Sequence, residues 1–429
     1  MSEQSVSLKR VLFPDVPLRP DMRLTAIMID GNSIGAMAGS VKANGTVVVE
    51  AIRHYELDRL VELTRRLRHP IFMDVSYSFF PERELIADRL RDILSTPPFN
   101  NPVIALLAPE KIRTAETVGR PTPAGCRERL EKLLTEHLPF NPYEYPALLT
   151  YQDVELDTQH DLTRLSVARL ADLLPLPQVV RAAGGEYIGI VAATAAASHV
   201  IRLMAPKEQS EPVLLCDVGK LRTLYTTLMP DGTIQHYPIP VGLARDDMHY
   251  FKSIAPSTDK LVQMQHSLGK LFFPPEVTPS PLFSGYASSP QIDCTRLAVQ
   301  ITRYAQRSIE ATLKDIHGAF LGSHYISGRA SRLPGLRDYI EARLHGKVRR
   351  IDRRPLRSVD VADGVTWGEV GDNVLLLGAL LEAFRPNAKL GPALMAGELV
   401  MPPLQQSSCT IAKLKADVLY VFEQKIDIS

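Results

Sequence analysis

Two segments of the 429-residue sequence, 187 residues apart, follow the same pattern and constrain the fold more than any other feature. In each segment a short apolar run ends in an aspartate with a glycine close behind it: Asp30 with Gly31, and Asp217 with Gly219. Two strand-like runs and a helix-like run follow each aspartate. The sequence therefore predicts a duplicated β-β-β-α-β unit.

The turn sequences between the predicted strands support this repeat. Asn44-Gly45 separates the second and third strands of the first unit, and it is the dipeptide that a type I′ hairpin favours. In the second unit the corresponding turn reads Pro230-Asp231-Gly232-Thr233. The spacing predicts the first three strands over residues 25–29, 34–41 and 46–52. Each unit should then open with an antiparallel meander.

The aspartates and their glycine turns have two interpretations. A carboxylate at a strand end commonly accepts hydrogen bonds from turn N–H groups, which would give Asp30 and Asp217 a structural role. A tight turn can also direct backbone N–H groups at phosphate, and an aspartate beside it can hold hydrated Mg²⁺. Because the pattern occurs twice, we favour the second interpretation, a nucleotide enclosed between two lobes.

Composition excludes several classes of protein. The chain carries 49 basic and 48 acidic residues, so it lacks the positive charge that nucleic-acid binding requires. Its 4 cysteines are far apart and form neither a zinc pattern nor a disulfide framework. The polar, proline-broken N-terminus has no export signal, and no run of 18 apolar residues follows. We expect a cytoplasmic α/β protein.

The organisation along the chain predicts two lobes with insertions. An Ala-rich helix is expected over residues 192–203, small enough on one side to pack tightly. Helices, strands and many prolines mix over residues 80–185, which predicts an inserted α+β subdomain. The predicted division is an N-terminal arm (1–22), a first lobe (23–79 and 186–211), the insert (80–185), a second lobe (212–245 and 318–390), a small subdomain of that lobe (246–317) and a C-terminal tail (391–429).

Several motifs, in this order along the chain, resemble those of one superfamily. They are IMIDGNSIGA, LLCDVGKLRTLYTT, YISGRASRLPGLRDYIEARL and GALLEAFRP. Over residues 23–390 the sequence resembles the actin-like ATPase superfamily, and within it the PilM branch related to the division protein FtsA. The segment HLPFNPYEYPALLTYQDVEL is similar to part of the inserted subdomain of PilM. The resemblance implies duplicated actin-like, ribonuclease H-like lobes.

The resemblance also implies a nucleotide site for ATP or ADP with Mg²⁺. The positions that match the family motifs for binding nucleotide are Asp30, Asn32, Ser33, Asp217, Gly219, Lys220, Gly328, Arg329 and Ala330. Asp30 and Asp217 would hold the metal through water. Which residues would be catalytic stays unknown.

The sequence departs from the family pattern at four places. Asn32 and Arg329 stand where glycines are usual, and Lys220-Leu221-Arg222 replaces small residues after the second aspartate. The helix entry YIGIVAATAAASHV has no Glu, Asp or Gln to orient an attacking water. These departures favour weak or lost hydrolysis.

The resemblance implies a scaffold in a type IV pilus or type II secretion-like inner-membrane platform. Its partner would be the cytoplasmic N-terminal tail of a bitopic PilN-like protein, bound at the insert, and the chain would reach the membrane only through partners. Homo-oligomerisation is compatible with this interpretation. Two alternatives are an ATP-dependent small-molecule kinase or phosphohydrolase and an FtsA-like filament-forming membrane tether. The tail could pack on the body, bind a partner or target a membrane, but its three lysines form no cationic face.

Overall fold

A computed structural model describes most of the two predicted lobes. The described residues are 22–30, 33–56, 83–118, 147–155, 161–173, 175–205, 211–219, 222–239, 269–270, 292–293, 302–303, 323–332, 335–344, 347–353, 356–384 and 397–400. Residues 1–21 of the predicted arm (1–22) and most of the small subdomain over 246–317 lie outside the described residues.

The strands are numbered β1 to β17 in chain order. They are β1 (Arg23–Asp30), β2 (Ser33–Val41), β3 (Val47–Glu56), β4 (Val103–Leu107), β5 (Ile112–Val118), β6 (Ala147–Glu155), β7 (Asp161–Arg169), β8 (Tyr187–Ala192), β9 (Val213–Val218), β10 (Thr223–Leu228), β11 (Ile234–Ile239), β12 (Gly269–Lys270), β13 (Ile292–Asp293), β14 (Ser323–Ser327), β15 (Val348–Arg350), β16 (Val359–Val361) and β17 (Gly397–Val400).

The helices are numbered α1 to α7. They are α1 (Arg83–Leu94), α2 (Leu170–Leu173), α3 (Pro175–Ala182), α4 (Ala193–Met204), α5 (Leu336–Leu344), α6 (Trp367–Asp372) and α7 (Val374–Ala383). Two 3₁₀ turns span Pro109–Lys111 and Arg329–Arg332. None of the helices in the described part of the chain is long and apolar enough to cross a membrane.

The two predicted lobes are built on sheets that share a five-strand topology, to which β16 adds a further edge strand beside β3 in the first sheet. The first sheet has the order β16-β3-β2-β1-β4-β8, and the second has the order β11-β10-β9-β14-β15. In both, the first three strands of the unit form an antiparallel meander, and the next two strands run parallel to the first. The predicted duplication is confirmed.

The second turn of each meander is also duplicated. The Gly45 N–H donates to the Lys42 carbonyl at 2.8 Å, and the Gly232 N–H donates to the Met229 carbonyl at 2.9 Å. Both glycines have positive φ, 81° and 83°. This arrangement is typical of a type I turn followed by a left-handed glycine. The predicted type I′ turn at Asn44-Gly45 is therefore wrong: the hydrogen-bonded turn spans residues 42–45 and begins one residue earlier.

The inserted subdomain is smaller than the sequence predicts. Its sheet is antiparallel with the order β17-β6-β7-β5. Strand β4, which the sequence placed in the insert over 80–185, lies between β1 and β8 in the first sheet. The physical reason is that all five residues of β4 are buried and apolar, as expected for a central parallel strand. Strand β17 of the predicted C-terminal tail pairs with β6.

Two helices each pack on the sheet of the other lobe. Helix α4 follows β8 of the first sheet but packs against β9 and β10 of the second, whereas α7 lies near the end of the second lobe and packs against β1 and β2 of the first. The helices contact each other where Gly378 of α7 meets Ala196 of α4. A Cβ on Gly378 would lie closer to the Ala196 backbone than real Cβ atoms do. The small face predicted for the Ala-rich helix is confirmed as a close packing surface.

We expect Gly378→Ala to destabilise the protein even though alanine favours a helix interior over glycine. The new Cβ would meet backbone, which cannot move aside as a side chain can, so we expect a cost of about 1–3 kcal/mol in the free energy of unfolding. Urea titration measures it. The control is Gly368→Ala in α6, where the nearest atoms to a Cβ are 3.5 and 3.9 Å away. Equal stability of the two variants would contradict the packing argument.

Candidate functional site

Asp217 lies at the carboxyl end of β9, in the middle of the second sheet. It pairs with Leu224 on β10 and with Ser327 on β14. The Ser327 hydroxyl donates to Asp217 Oδ1 at 2.7 Å, and both residues are buried. A hydrogen bond to a carboxylate is stronger than one between neutral groups, so Ser327 holds the Asp217 side chain in place. The carboxyl ends of parallel strands are also where open α/β sheets bind ligands.

The turn that follows Asp217 closes as a hairpin. The Gly219 N–H donates to the Arg222 carbonyl at 2.8 Å, and this bond closes the connection between β9 and β10. A phosphate cradle needs backbone N–H groups directed at the ligand. The Gly219 N–H is already used within the hairpin, so this group is not available in the way the motif predicts.

The corresponding turn of the first lobe is shorter. Asp30 pairs directly with Ser33, with only Gly31 and Asn32 between them, whereas six residues separate Asp217 from its partner Leu224. Ser33 is buried. The two turns that the sequence predicts as a matched pair therefore differ in length. Asp30 is closer than Asp217 to the end of its hairpin, counted in residues to the paired position on the next strand.

Gly328 connects the second predicted motif to the third. Its φ is +82°, and a Cβ there would overlap the backbone of Val218 at the end of β9. Its N–H donates to the Gly371 carbonyl of α6 at 3.3 Å. The glycine is thus required by a close backbone crossing as well as by its left-handed conformation. The 3₁₀ turn Arg329–Arg332 begins at this crossing, beside Asp217.

A cluster of charges that the sequence does not predict surrounds Asp372, the last residue of α6. Asp372 forms an ion pair with Arg332, and Ser331 Oγ donates to Asp372 Oδ1 at 3.2 Å. Arg350 and Arg329 also lie close enough to favour its charged form. Burial nevertheless outweighs these positive charges and raises the pKa of Asp372 to about 6.

Among the described residues, the structure brings together predicted site residues of the second lobe. Asp217, Gly219, Gly328 and Arg329 lie around the end of β9. Asn32 and Lys220 lie outside the described residues, as do the side chains of Asp30 and Ala330, so their roles stay predictions. Among the described residues, no three His, Cys, Asp or Glu side chains come together as a metal site would require.

Sequence reasoning missed two kinds of neighbour. Ser327 stands immediately before Gly328, so strand alternation could have directed its hydroxyl towards Asp217 once the pairing of β9 with β14 was known. Asp372 carries no local signal, because it reaches the cluster through the packing of α6 against the 3₁₀ turn.

The chain was compared with known proteins and structures. A scan against models of protein families and a search of curated proteins found no match. The chain is similar to the solved structure described as the PilM-PilN type IV pilus biogenesis complex, with 14% identity, coverage of 86% of this chain and 100% of that chain, and a TM-score of 0.60. The chain shares its fold with that structure, and the predicted actin-like fold is confirmed.

Two further solved structures are less similar. MreB5 of Spiroplasma citri bound to ADP is 13% identical, with 85% of this chain and 96% of that chain covered and a TM-score of 0.39. The cytoplasmic domain of EpsL, an inner-membrane component of the type II secretion system of Vibrio cholerae, is 10% identical, with 84% and 94% covered and a TM-score of 0.35.

We expect the raised pKa of Asp372 to make stability depend on pH. Between the ordinary value of 3.8 and about 6, the folded protein binds this proton more tightly than the unfolded chain does. The free energy of unfolding gained from Asp372 is therefore present below pH 3.8 and is lost as pH rises through 6, by up to about 3 kcal/mol. Asp372→Asn should lack this loss in urea titrations from pH 4 to 7.

Asp360→Asn is the control for the Asp372 experiment. Asp360 lies on β16, and the hydrogen bond from Lys42 lowers its pKa. Its contribution should therefore weaken as pH falls, with the opposite sign to that of Asp372. Parallel stability profiles for the wild type and Asp372→Asn would contradict the assignment.

Proposed function

We propose that the chain is a cytoplasmic scaffold of a pilus or secretion-like inner-membrane platform. In this proposal it binds the cytoplasmic N-terminal tail of a PilN-like membrane protein and reaches the membrane only through that partner. A nucleotide, where it is bound, acts as a clamp between the lobes and is hydrolysed slowly or not at all.

The first turn of α4 is the observation that favours a scaffold over an enzyme. This turn follows β8 directly, where hydrolytic relatives would place the residue that orients water. It contains Ala193, Thr194, Ala195 and Ala196, all buried, and no acidic residue. A general base has to reach the attacking water by hydrogen bond, and none of these side chains can act as one.

The surroundings of Asp217 fit a bound nucleotide in part. A buried carboxylate at a strand end could hold Mg²⁺ through water, with Asp30 contributing from the first lobe. Against this, the Gly219 N–H is engaged within its own hairpin. Such a site would bind ATP or ADP through the metal and the other loop groups. We expect it to hold the nucleotide without hydrolysing it rapidly.

The proposed partner comes from the solved structure that the chain resembles over 86% of its length, whose description names PilM together with PilN. The inserted sheet and its junction with the first lobe are the region where we place the tail. At this junction Lys111 and Asp172, whose side chains are 8% and 2% exposed, form an ion pair at 3.4 Å between the entry and the exit of the insert. A fixed junction of this kind would hold the insert in a constant position against the lobe.

Calorimetric titration and phosphate release together test the proposal. A synthetic peptide of the PilN-like cytoplasmic tail should bind the wild type with a dissociation constant on the order of 1 μM. With Mg²⁺ and ATP, the rate of phosphate release should stay far below roughly 1 per second, the lower end of typical enzyme turnover rates. Asp217→Asn should bind the peptide as the wild type does.

Asp231→Asn provides the matched control, since Asp231 is an exposed turn aspartate of the same lobe. Release at about 1 per second or faster that is lost in Asp217→Asn but kept in Asp231→Asn would identify an enzyme instead. Failure of the tail peptide to bind any of the three proteins would contradict the scaffold.

A further inference from the structure

Three arginine side chains from two elements surround the carboxylate of Asp372. Arg329 and Arg332 belong to the 3₁₀ turn that follows β14, and Arg350 is the last residue of β15. Strand β15 runs parallel to β14 with Arg350 opposite Ile326, so the sheet brings the end of β15 next to the turn. All three arginines act on the charge of Asp372. The fold therefore collects several cations around one acid.

The guanidinium donors of this cluster outnumber the acceptor positions that Asp372 offers. A guanidinium carries five N–H donors, and a carboxylate offers about four acceptor positions. The Ser331 hydroxyl already donates to one oxygen of Asp372 at 3.2 Å. Arg332 forms an ion pair with Asp372, but in the described part of the chain no ion pair involves Arg350. Arg332 and Arg350 alone bring about ten donors to about three remaining positions, so the cluster suits a further acceptor from outside the protein.

The second acid of α6 is engaged by its own helix cap. Glu369 accepts hydrogen bonds at 2.8 Å from both the backbone N–H and the hydroxyl of Thr366, which caps the helix. These bonds lower the pKa of Glu369 more than the nearby charge of Arg332 does. Even with Asp372 and Glu369 both ionised, the three arginines leave the cluster with a net positive charge.

The arginines are accessible to solvent, whereas the acid between them is largely covered. The side chain of Arg332 is 45% exposed, and that of Asp372 is 14% exposed. Arg350 is exposed, and Arg329 is half-buried. A ligand can therefore reach the guanidinium groups from outside, where it would compete with Asp372 for the same donors.

We propose that Arg329, Arg332 and Arg350 form a binding site for a phosphate-type anion, with Asp372 as a competing acceptor. The planar guanidinium fork binds two oxygens of a phosphate through parallel N–H bonds. The 3₁₀ turn contacts β9, which ends at Val218, but the site needs neither Mg²⁺ nor a partner peptide, so the inference goes beyond the proposed function. A free phosphate and the phosphate group of a nucleotide offer the same chemistry, and the experiment separates them.

Calorimetric titration of the full chain with sulfate, in a buffer without phosphate and at constant ionic strength, tests the site. We expect a dissociation constant on the order of 0.1 mM for the wild type. Arg350→Gln changes an exposed side chain and should weaken binding about tenfold. Asp372→Asn should tighten it about tenfold, because it removes the competing carboxylate and keeps the volume. Equal affinity of these three proteins for sulfate would overturn the proposal.

Two matched variants account for general effects of charge. Asp338→Asn removes the acid of the Arg337–Asp338 ion pair, which lies on the surface of α5 with 2.9 Å between the charged groups. Arg353→Gln removes an arginine whose side chain is 74% exposed. Neither should change the affinity for sulfate by more than about twofold, because salt screens exposed charges outside the site. If the controls change the affinity as much as Asp372→Asn and Arg350→Gln do, overall charge binds the sulfate and the assignment of the site is wrong.

The affinity for sulfate should also depend on pH through Asp372. Burial raises the pKa of Asp372 to about 6, and the described charges that act on it are those of Arg332, Arg350 and Arg329, with none from β3 or α7, which also contact α6. Sulfate stays a dianion between about pH 5 and pH 8, so binding should tighten as pH falls through 6 and Asp372 loses its charge. Asp372→Asn should show no such step. An identical step in both proteins would show that Asp372 does not compete.

Competition against bound sulfate, without Mg²⁺, identifies the source of the anion. Displacement by inorganic phosphate but not by ADP assigns the site to a free phosphate. Displacement by ADP that is weakened in Arg350→Gln assigns it to the phosphate of a nucleotide. Both results support the anion site, whereas displacement by adenosine, which has no phosphate, would overturn it, because the arginines would then bind a base. None of these titrations uses the tail peptide or measures phosphate release, so their failure would leave the proposed function standing.

Discussion

The close crossing of α4 and α7 is the contact on which the two-lobed structure depends. Each helix follows the sheet of one lobe and packs on the sheet of the other, so neither sheet completes its core from its own segment of the chain. One hydrophobic cluster accordingly contains Leu215 and Leu224 of the second sheet together with Ala196 and Leu377 of the crossing helices. The lobes are joined by a shared interior, and Gly378 allows the helices to approach closely enough to form it.

Polar contacts also fix how α4 lies on the second sheet. The Ser198 hydroxyl donates to the Thr194 carbonyl at 2.9 Å, so it must accept the hydrogen bond from His236 Nε2 at 3.0 Å. His236 Nδ1 lies 3.1 Å from the Thr226 hydroxyl, so the ring bridges α4 and β10. This chain of hydrogen bonds ties α4 to β10 and β11. Helix α4 of the first lobe is therefore held on the second sheet by polar contacts as well as by its apolar face.

Local signals in the sequence were enough to predict the two meanders, because a glycine with positive φ and a preceding Asn or Asp determine a turn within a few residues. The Ala-rich helix was also predicted from a local signal, its run of small helix-forming residues. The sheet to which β4 belongs was not predicted, because a short apolar run does not reveal which sheet it joins. The pairing of β17 with β6 joins positions about 250 apart, and the charge cluster at Asp372 arises only when α6 packs on the 3₁₀ turn. Such contacts depend on the whole fold.

The motif residues that match the family are mainly those that the fold itself requires. Gly328 cannot carry a side chain because the Val218 backbone lies against it, whether or not a nucleotide is bound. Asp217 is held by Ser327, and this pair links the two central strands of the second sheet. The positions that would serve only the phosphates are different: the first turn is short, and Gly219 uses its N–H in its own hairpin. The matching motifs therefore support the fold more strongly than they support ATP hydrolysis.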